Sequence, residues 1–139
     1  MRIIGGRHRG TKLADLDGDK TRPTADRVRE NLFNILAGGN YGEQLRDAHV
    51  LDLFSGTGAL GLEALSRGAR TACFVEKDHN ALSVIRANIA RLKQQNSCLV
   101  IAGNALSLTG IRGDKASLVL ADAPYGTGDG LLAVAHMLT

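Results

Sequence analysis

The stretch from Val50 to Gly61 constrains the fold more than any other. It reads Val50-Leu51-Asp52-Leu53-Phe54-Ser55-Gly56-Thr57-Gly58-Ala59-Leu60-Gly61. Val50, Leu51, Leu53 and Phe54 form an apolar run suited to a strand buried on both faces. Gly56 and Gly58 remove side chains where the backbone must turn sharply and approach a ligand. The following Ala59–Leu65 segment has helix-forming composition, with Leu62 and Leu65 three apart. A strand that feeds a helix through glycines is a cofactor-binding turn in open α/β sheets.

Gly56, Gly58 and Gly61 fit G-x-G-x-x-G, a pattern shared by several cofactor classes. Asp52, four residues before the first glycine, separates them. A dinucleotide brings an anionic pyrophosphate to such a turn, which a carboxylate repels. S-adenosylmethionine brings an ammonium and a sulfonium, which a carboxylate attracts. Alternatively, Asp52 hydrogen-bonds its own glycine loop and nothing else.

The rest of the chain repeats the strand–helix alternation. Gly68 closes the first core helix, and Thr71–Val75 is a second strand ending at Glu76. Glu76 lies eighteen residues after Gly58. An acid in that place accepts hydrogen bonds from both ribose hydroxyls of a nucleotide-type ligand, or forms a surface ion pair. Asp78 caps a helix over about His79 to Gln94, with Leu82, Ile85, Ile89 and Leu92 as its buried stripe. Ser97–Ala102 is a third strand, leading into Gly103-Asn104-Ala105. Asn104 can bond an adenine edge or simply form the turn. Ser117–Ala121 is a fourth strand, ending at Asp122-Ala123-Pro124-Tyr125. These residues place a carboxylate and an aromatic ring at the carboxyl edge of the sheet. The pattern is that of a parallel α/β sheet.

Upstream, residues 2–13 read as short extended pieces punctuated by glycine, a small hairpin or flap. Arg2, Arg7, Arg9 and Lys12 make it basic, with no acid among the first twelve residues. It is an electrostatic footprint for phosphate or a solvated surface. After Arg22-Pro23, Thr24 caps a helix over roughly Ala25 to Ala37. Val28, Leu32, Ile35 and Leu36 lie on one face, which is expected to pack on the body, with Arg27, Arg29 and Glu30 elsewhere. Those arginines either face solvent or line an RNA or cofactor entrance.

With 139 residues, the chain reads as one domain: a basic segment over 1–21 and a cofactor-binding core over 22–139. The 44% hydrophobic and 22% charged fractions are ordinary for a soluble protein, and no apolar run is long enough to span a membrane. The N-terminus lacks the apolar segment of a secretory signal. Cys73 and Cys98 form no C-x-x-C and read as buried thiols of a reducing cytosol. His8, His49, His79 and His136 are scattered, so no metal site is expected.

These motifs together resemble the bacterial 16S ribosomal RNA guanine-N2 methyltransferases that modify guanine 966. The residues that carry the resemblance are Met1–Gly6, Arg22-Pro23-Thr24, Asp26–Glu30, Leu32-Phe33-Asn34, Leu51–Ala64, Phe74–Asp78 and Asp122–Tyr125. The resemblance implies a Rossmann-like methyltransferase fold of class I, with S-adenosylmethionine near Asp52, Phe54, Gly56, Gly58, Glu76, Lys77, Asn104 and Ala105. It implies a target base held by Asp122, Ala123, Pro124 and Tyr125. It also implies RNA on Arg2, Arg7, Arg9, Lys12, Arg22 and Arg27, and a cytoplasmic protein working on 16S rRNA or the small ribosomal subunit. Ala123 stands where the family's tetrapeptide usually has proline, and Asn104 where Asp is common. The family's sheet continues through further strands, so the resemblance implies one shortened after the fourth, with an apolar edge. Rival readings are an amino methyltransferase acting on DNA adenine or protein, a nicotinamide dehydrogenase, and a non-catalytic RNA-binding module.

Overall fold

The computed structural model describes residues 1–16, 23–38, 42–105 and 116–121. Four strands form one sheet: β1 (His49–Leu53), β2 (Thr71–Glu76), β3 (Cys98–Ala102) and β4 (Leu118–Ala121). Their spatial order is β3-β2-β1-β4, and every neighbouring pair is parallel. Leu51 stands opposite Cys73 on one side and Val119 on the other. Parallel neighbours need crossovers, which α2 (Ala59–Ser66) supplies between β1 and β2 and α3 (His79–Arg91) between β2 and β3. The order reverses at β1, so the switch point where such sheets bind ligands lies at the carboxyl end of β1.

Strand side chains alternate between two apolar clusters, as a two-period pleat requires. Val50, Ala72, Phe74 and Leu120 join Leu62, Leu65, Ile85, Ile89 and Leu92 from the helices in the larger cluster. Leu51, Leu53 and Val75 belong to the smaller one on the opposite face. The expected stripe of α3 is therefore buried, and Asp78 caps that helix by accepting from Ala81 N–H at 2.9 Å. A short 3₁₀ turn, Gln95–Ser97, occupies the start of the expected third strand.

Cys73 and Cys98 pack on opposite faces, one against each cluster, so they do not pair. Burial pushes the Cys73 thiol up to about 11, with a smaller push from the Asp52 charge, and burial alone pushes Cys98 up to about 12. Both are neutral thiols throughout the physiological range.

Helix α2 lies tight on β2 because Gly61 has no side chain. A Cβ there would stand 2.4 Å from Phe74 Cε1 and 3.1 Å from Asp52 Oδ2. Gly61→Ala must therefore displace a fully buried ring, and is expected to destabilise the fold by about 1–3 kcal/mol in urea titration. Gly103→Ala is the control, since a Cβ there meets nothing within 4 Å.

The N-terminal segment is a hairpin, as expected, joined by an antiparallel bridge between Arg2 and Lys12. It is not a detached flap. Ile3 and Leu13 are each 1% exposed and sit in the main core. Helix α1 (Pro23–Gly38) departs from expectation in its orientation. Val28 and Ile35 are exposed at 62% and 51%, and Leu32 at 36%, while Arg29 and Phe33 are buried. Only Leu36 of the expected stripe packs against the core.

Candidate cofactor site

The turn after β1 is built by backbone geometry. Phe54, Gly56 and Gly58 all have positive φ, at 55°, 58° and 83°. Gly58 opens α2, and its N–H donates to Ser55 O at 2.8 Å. The Ser55 hydroxyl donates to Asp52 O at 2.6 Å, which closes the turn on its own strand. Phe54 is the one non-glycine residue of the turn held in the left-handed region. Strain of that kind, about 1–3 kcal/mol, is characteristic of ligand sites.

Glu76 holds the turn from the neighbouring strand. Its Oε1 accepts Gly56 N–H at 2.8 Å, and Oε2 accepts Lys77 N–H at 3.0 Å and Asp78 N–H at 2.9 Å. A carboxylate has about four acceptor positions, so three backbone donors leave one for a ligand. Asp52 is 1% exposed, and its Oδ2 accepts Gly61 N–H at 3.0 Å inside α2. The loop-organising role is thus built, and the charge lies just behind the turn.

A pocket of ≈ 240 Å³ opens at this edge, lined by Phe54, Gly56, Val75, Glu76, Lys77, Gly103, Asn104 and Ala105. Six of the eight residues expected around a cofactor line it. The other two, Asp52 and Gly58, stand behind the turn and shape it. The volume is below the roughly 300–1,000 Å³ of small-molecule sites, so these walls hold part of a ligand. Apolar Phe54, Val75 and Ala105 suit a flat ring, while Glu76 and Asn104 supply polar groups. A larger hollow of ≈ 560 Å³ opens at the opposite edge, where strands begin, between Arg7, Asp47, Arg67 and Arg70. It lies away from the switch point and the glycine turn.

The basic residues expected to meet RNA are spread along the hairpin. Met1 lies near the turn, with its sulfur 3.6 Å from Thr57 Oγ1. Arg2 and Lys12 face each other midway. Arg7 and Arg9 stand at the far end, where Arg7 N–H donates to Ser66 O at 2.9 Å. Arg27 is exposed on α1. Arg22, Asp122, Ala123, Pro124 and Tyr125 lie outside the described residues.

Two buried polar residues, Glu63 and Asn88, went unnoticed in the sequence. Glu63, 0% exposed, accepts Ile4 N–H and Gly5 N–H at 2.9 Å each and Arg67 Nε at 2.8 Å. Arg29, 8% exposed, lies 3.6 Å from Glu63 and 3.2 Å from Asp26, and donates to Arg2 O at 2.6 Å. These contacts anchor the hairpin to α1 and α2. Asn88, also 0% exposed, bonds Ala14 and the glycine turn. Each left a signal: Glu63 is a lone acid inside an apolar helix, and Asn88 is in phase with the buried stripe of α3.

Known proteins share this arrangement. The chain is 44% identical over 128 residues to Ribosomal RNA small subunit methyltransferase D of Escherichia coli (strain K12), covering 92% of this chain. YlbH of Bacillus subtilis (strain 168) is 35% identical over 133 residues, covering 90% of this chain and 67% of that protein. The solved structure of yhhF from Escherichia coli is 40% identical, with a TM-score of 0.80 over 99% of this chain and 71% of that one. The chain spans 62% of the length of the first of these relatives. The fold is Rossmann-like, of the class I methyltransferase type. From residue 1 to residue 139 the chain matches the family described as Conserved hypothetical protein 95, and it belongs to that family.

Proposed function

We propose that this chain binds S-adenosylmethionine and directs its methyl group to the exocyclic N2 of a guanine in 16S ribosomal RNA. The observation that carries the reading is Glu76. It clasps the Gly56 turn at the switch point while keeping one acceptor position open toward an apolar-walled pocket. The names of the relatives, a ribosomal RNA small subunit methyltransferase and a putative rRNA methyltransferase, support the reaction and the substrate class.

Glu76 binds a ribose hydroxyl through its open position, and Phe54, Val75 and Ala105 flank the adenine, with Asn104 on its polar edge. Bound S-adenosylmethionine supplies an electrophilic methyl on a sulfonium, already a good leaving group. The chain's task is then mostly positioning. The guanine N2 lone pair is delocalised into the ring. Asp122 and the Ala123 carbonyl would accept from that amine, so that its lone pair points at the methyl; as the N–C bond formed, the methyl–sulfur bond would break to leave a neutral thioether, and the amine proton would pass to the Asp122 carboxylate or to solvent. Tyr125 stacks on the base, a contact worth about 1–3 kcal/mol. Arg2, Lys12, Arg22 and Arg27 contact phosphates. The target is an exposed or flipped nucleotide, because a base inside a helix must first be unstacked. No helix among the described residues is long and apolar enough to cross a membrane, and the reading places the protein with ribosomal RNA in the cytoplasm.

Calorimetric titration with S-adenosylhomocysteine, with NADH as control, tests the cofactor class. Saturable binding of the first alone is expected, followed by labelled methyl transfer to small ribosomal subunits. Binding of NADH instead, or of neither by a folded chain, would sink the reading.

A further inference from the structure

Asn88 stands where α3, the N-terminal hairpin and the glycine turn meet. Its Oδ1 accepts Ala14 N–H at 2.7 Å, and its Nδ2 donates to Ala14 O and Thr57 O at 3.1 Å each. One acceptor and two donors are all in use, so the amide is satisfied without water. The paired bonds to Ala14 imitate a rung of a β-ladder and fix that backbone in position and orientation. The third bond reaches the one carbonyl that lies between Gly56 and Gly58.

Those two glycines make the turn intrinsically soft. Two side chains stiffen it from opposite sides. Glu76 takes Gly56 N–H from the pocket side, and Asn88 takes Thr57 O from the core side. Met1 also reaches Thr57, through its sulfur. Both ends of the hairpin, Met1 and Ala14, therefore converge on a single residue of the turn. The hairpin carries Arg2 and Lys12 on its outer side, both exposed.

We propose that Asn88 is a positioning residue that couples the basic hairpin to the cofactor turn. A ligand in the pocket tightens the hairpin, and RNA phosphate on the hairpin tightens the pocket. Such coupling is reciprocal by thermodynamic necessity. The inference rests on the proposed cofactor reading, since it names what the two coupled ligands are.

A purely core-filling Asn88 predicts no communication between the two. The informative variant is Asn88→Asp. It has the same shape and keeps an acceptor for Ala14 N–H, but it loses both donors and sets a carboxylate against two carbonyl oxygens.

The experiment follows amide hydrogen exchange of Leu13 and Ala14 in the full chain, with and without saturating S-adenosylhomocysteine. Neither residue lines the pocket. In the native protein the ligand is expected to slow both amides by about threefold or more. In Asn88→Asp that slowing should vanish and affinity for the ligand should fall about tenfold, a coupling of ordinary size. Protection of the β1 and β2 amides serves as the control for folding.

Ligand binding to the native chain with unchanged Leu13 and Ala14 exchange overturns the coupling, and this measurement decides even if the variant does not fold. Equal slowing in Asn88→Asp overturns the role of Asn88. A native chain that binds no S-adenosylhomocysteine overturns the cofactor reading itself, and this coupling with it. Calorimetry separates that outcome from the others.

Discussion

Replacing Glu63 by alanine should remove about 3–5 kcal/mol of stability, the cost of breaking a buried ion pair from one side. The carboxylate is the hub of the hairpin anchor. Its loss leaves the N–H groups of Ile4 and Gly5 without acceptors and strips Arg67 and Arg29 of their shared partner. Arg29 suffers most. It is 8% exposed, its Nε already lacks a hydrogen bond among the described residues, and among those residues it retains only Asp26 as an ionic partner. Arg67 retains the face of Phe33, 5.4 Å from the ring centroid, and can turn toward water. Against a typical total of about 5–15 kcal/mol, a loss of this size lowers the urea midpoint substantially. Asp26→Ala should cost less, because Asp26 is partly solvated and Arg29 keeps Glu63. Equal urea midpoints for Glu63→Ala and the native chain would show that the hairpin is held by Ile3 and Leu13 burial alone.

The same cluster explains why the sequence was legible in some places and not in others. The β1–turn–α2 unit could be read because each local signal agreed: a buried apolar run, two glycines and a helix-forming segment. Cap, stripe and strand ends around Asp78 and Glu76 agreed for the same reason. Helix α1 shows the opposite case. Val28, Leu32 and Ile35 are spaced four and three apart, but so are Arg29, Phe33 and Leu36, one position later. Periodicity alone favours the stripe with three aliphatic residues. The structure buries the other, because Arg29 finds Glu63 thirty-four residues downstream and Phe33 lies beneath Arg67. A pairing across that separation leaves no local trace. Asp52 stood out in the sequence as a candidate, yet its bond to Gly61 N–H depended on how closely α2 approaches, and so on Gly61 and Phe74.

Glu76→Gln should lower affinity for S-adenosylhomocysteine by about tenfold while leaving stability nearly unchanged. One acceptor position remains for a ribose hydroxyl, and a hydrogen bond to a charged group contributes about 1.5–3 kcal/mol against about 0.5–1.5 kcal/mol for a neutral one. Stability is spared because the neighbouring donors, Lys77 N–H and Asp78 N–H, belong to exposed residues and can turn to water. Glutamine keeps one oxygen for Gly56 N–H but sets an NH₂ group against the other donors. It also loses the charge that strengthens the bond to a ribose hydroxyl. Affinity within threefold of the native value would remove Glu76 from the ligand. Asp52→Asn makes a second, electrostatic comparison. The amide oxygen can still accept Gly61 N–H, so the turn keeps its shape and only the charge is lost. S-adenosylmethionine carries a sulfonium that its demethylated product lacks. If the buried charge of Asp52 is felt in the pocket, the variant should weaken S-adenosylmethionine more than S-adenosylhomocysteine. Equal losses for both ligands would confine Asp52 to holding α2 against the sheet.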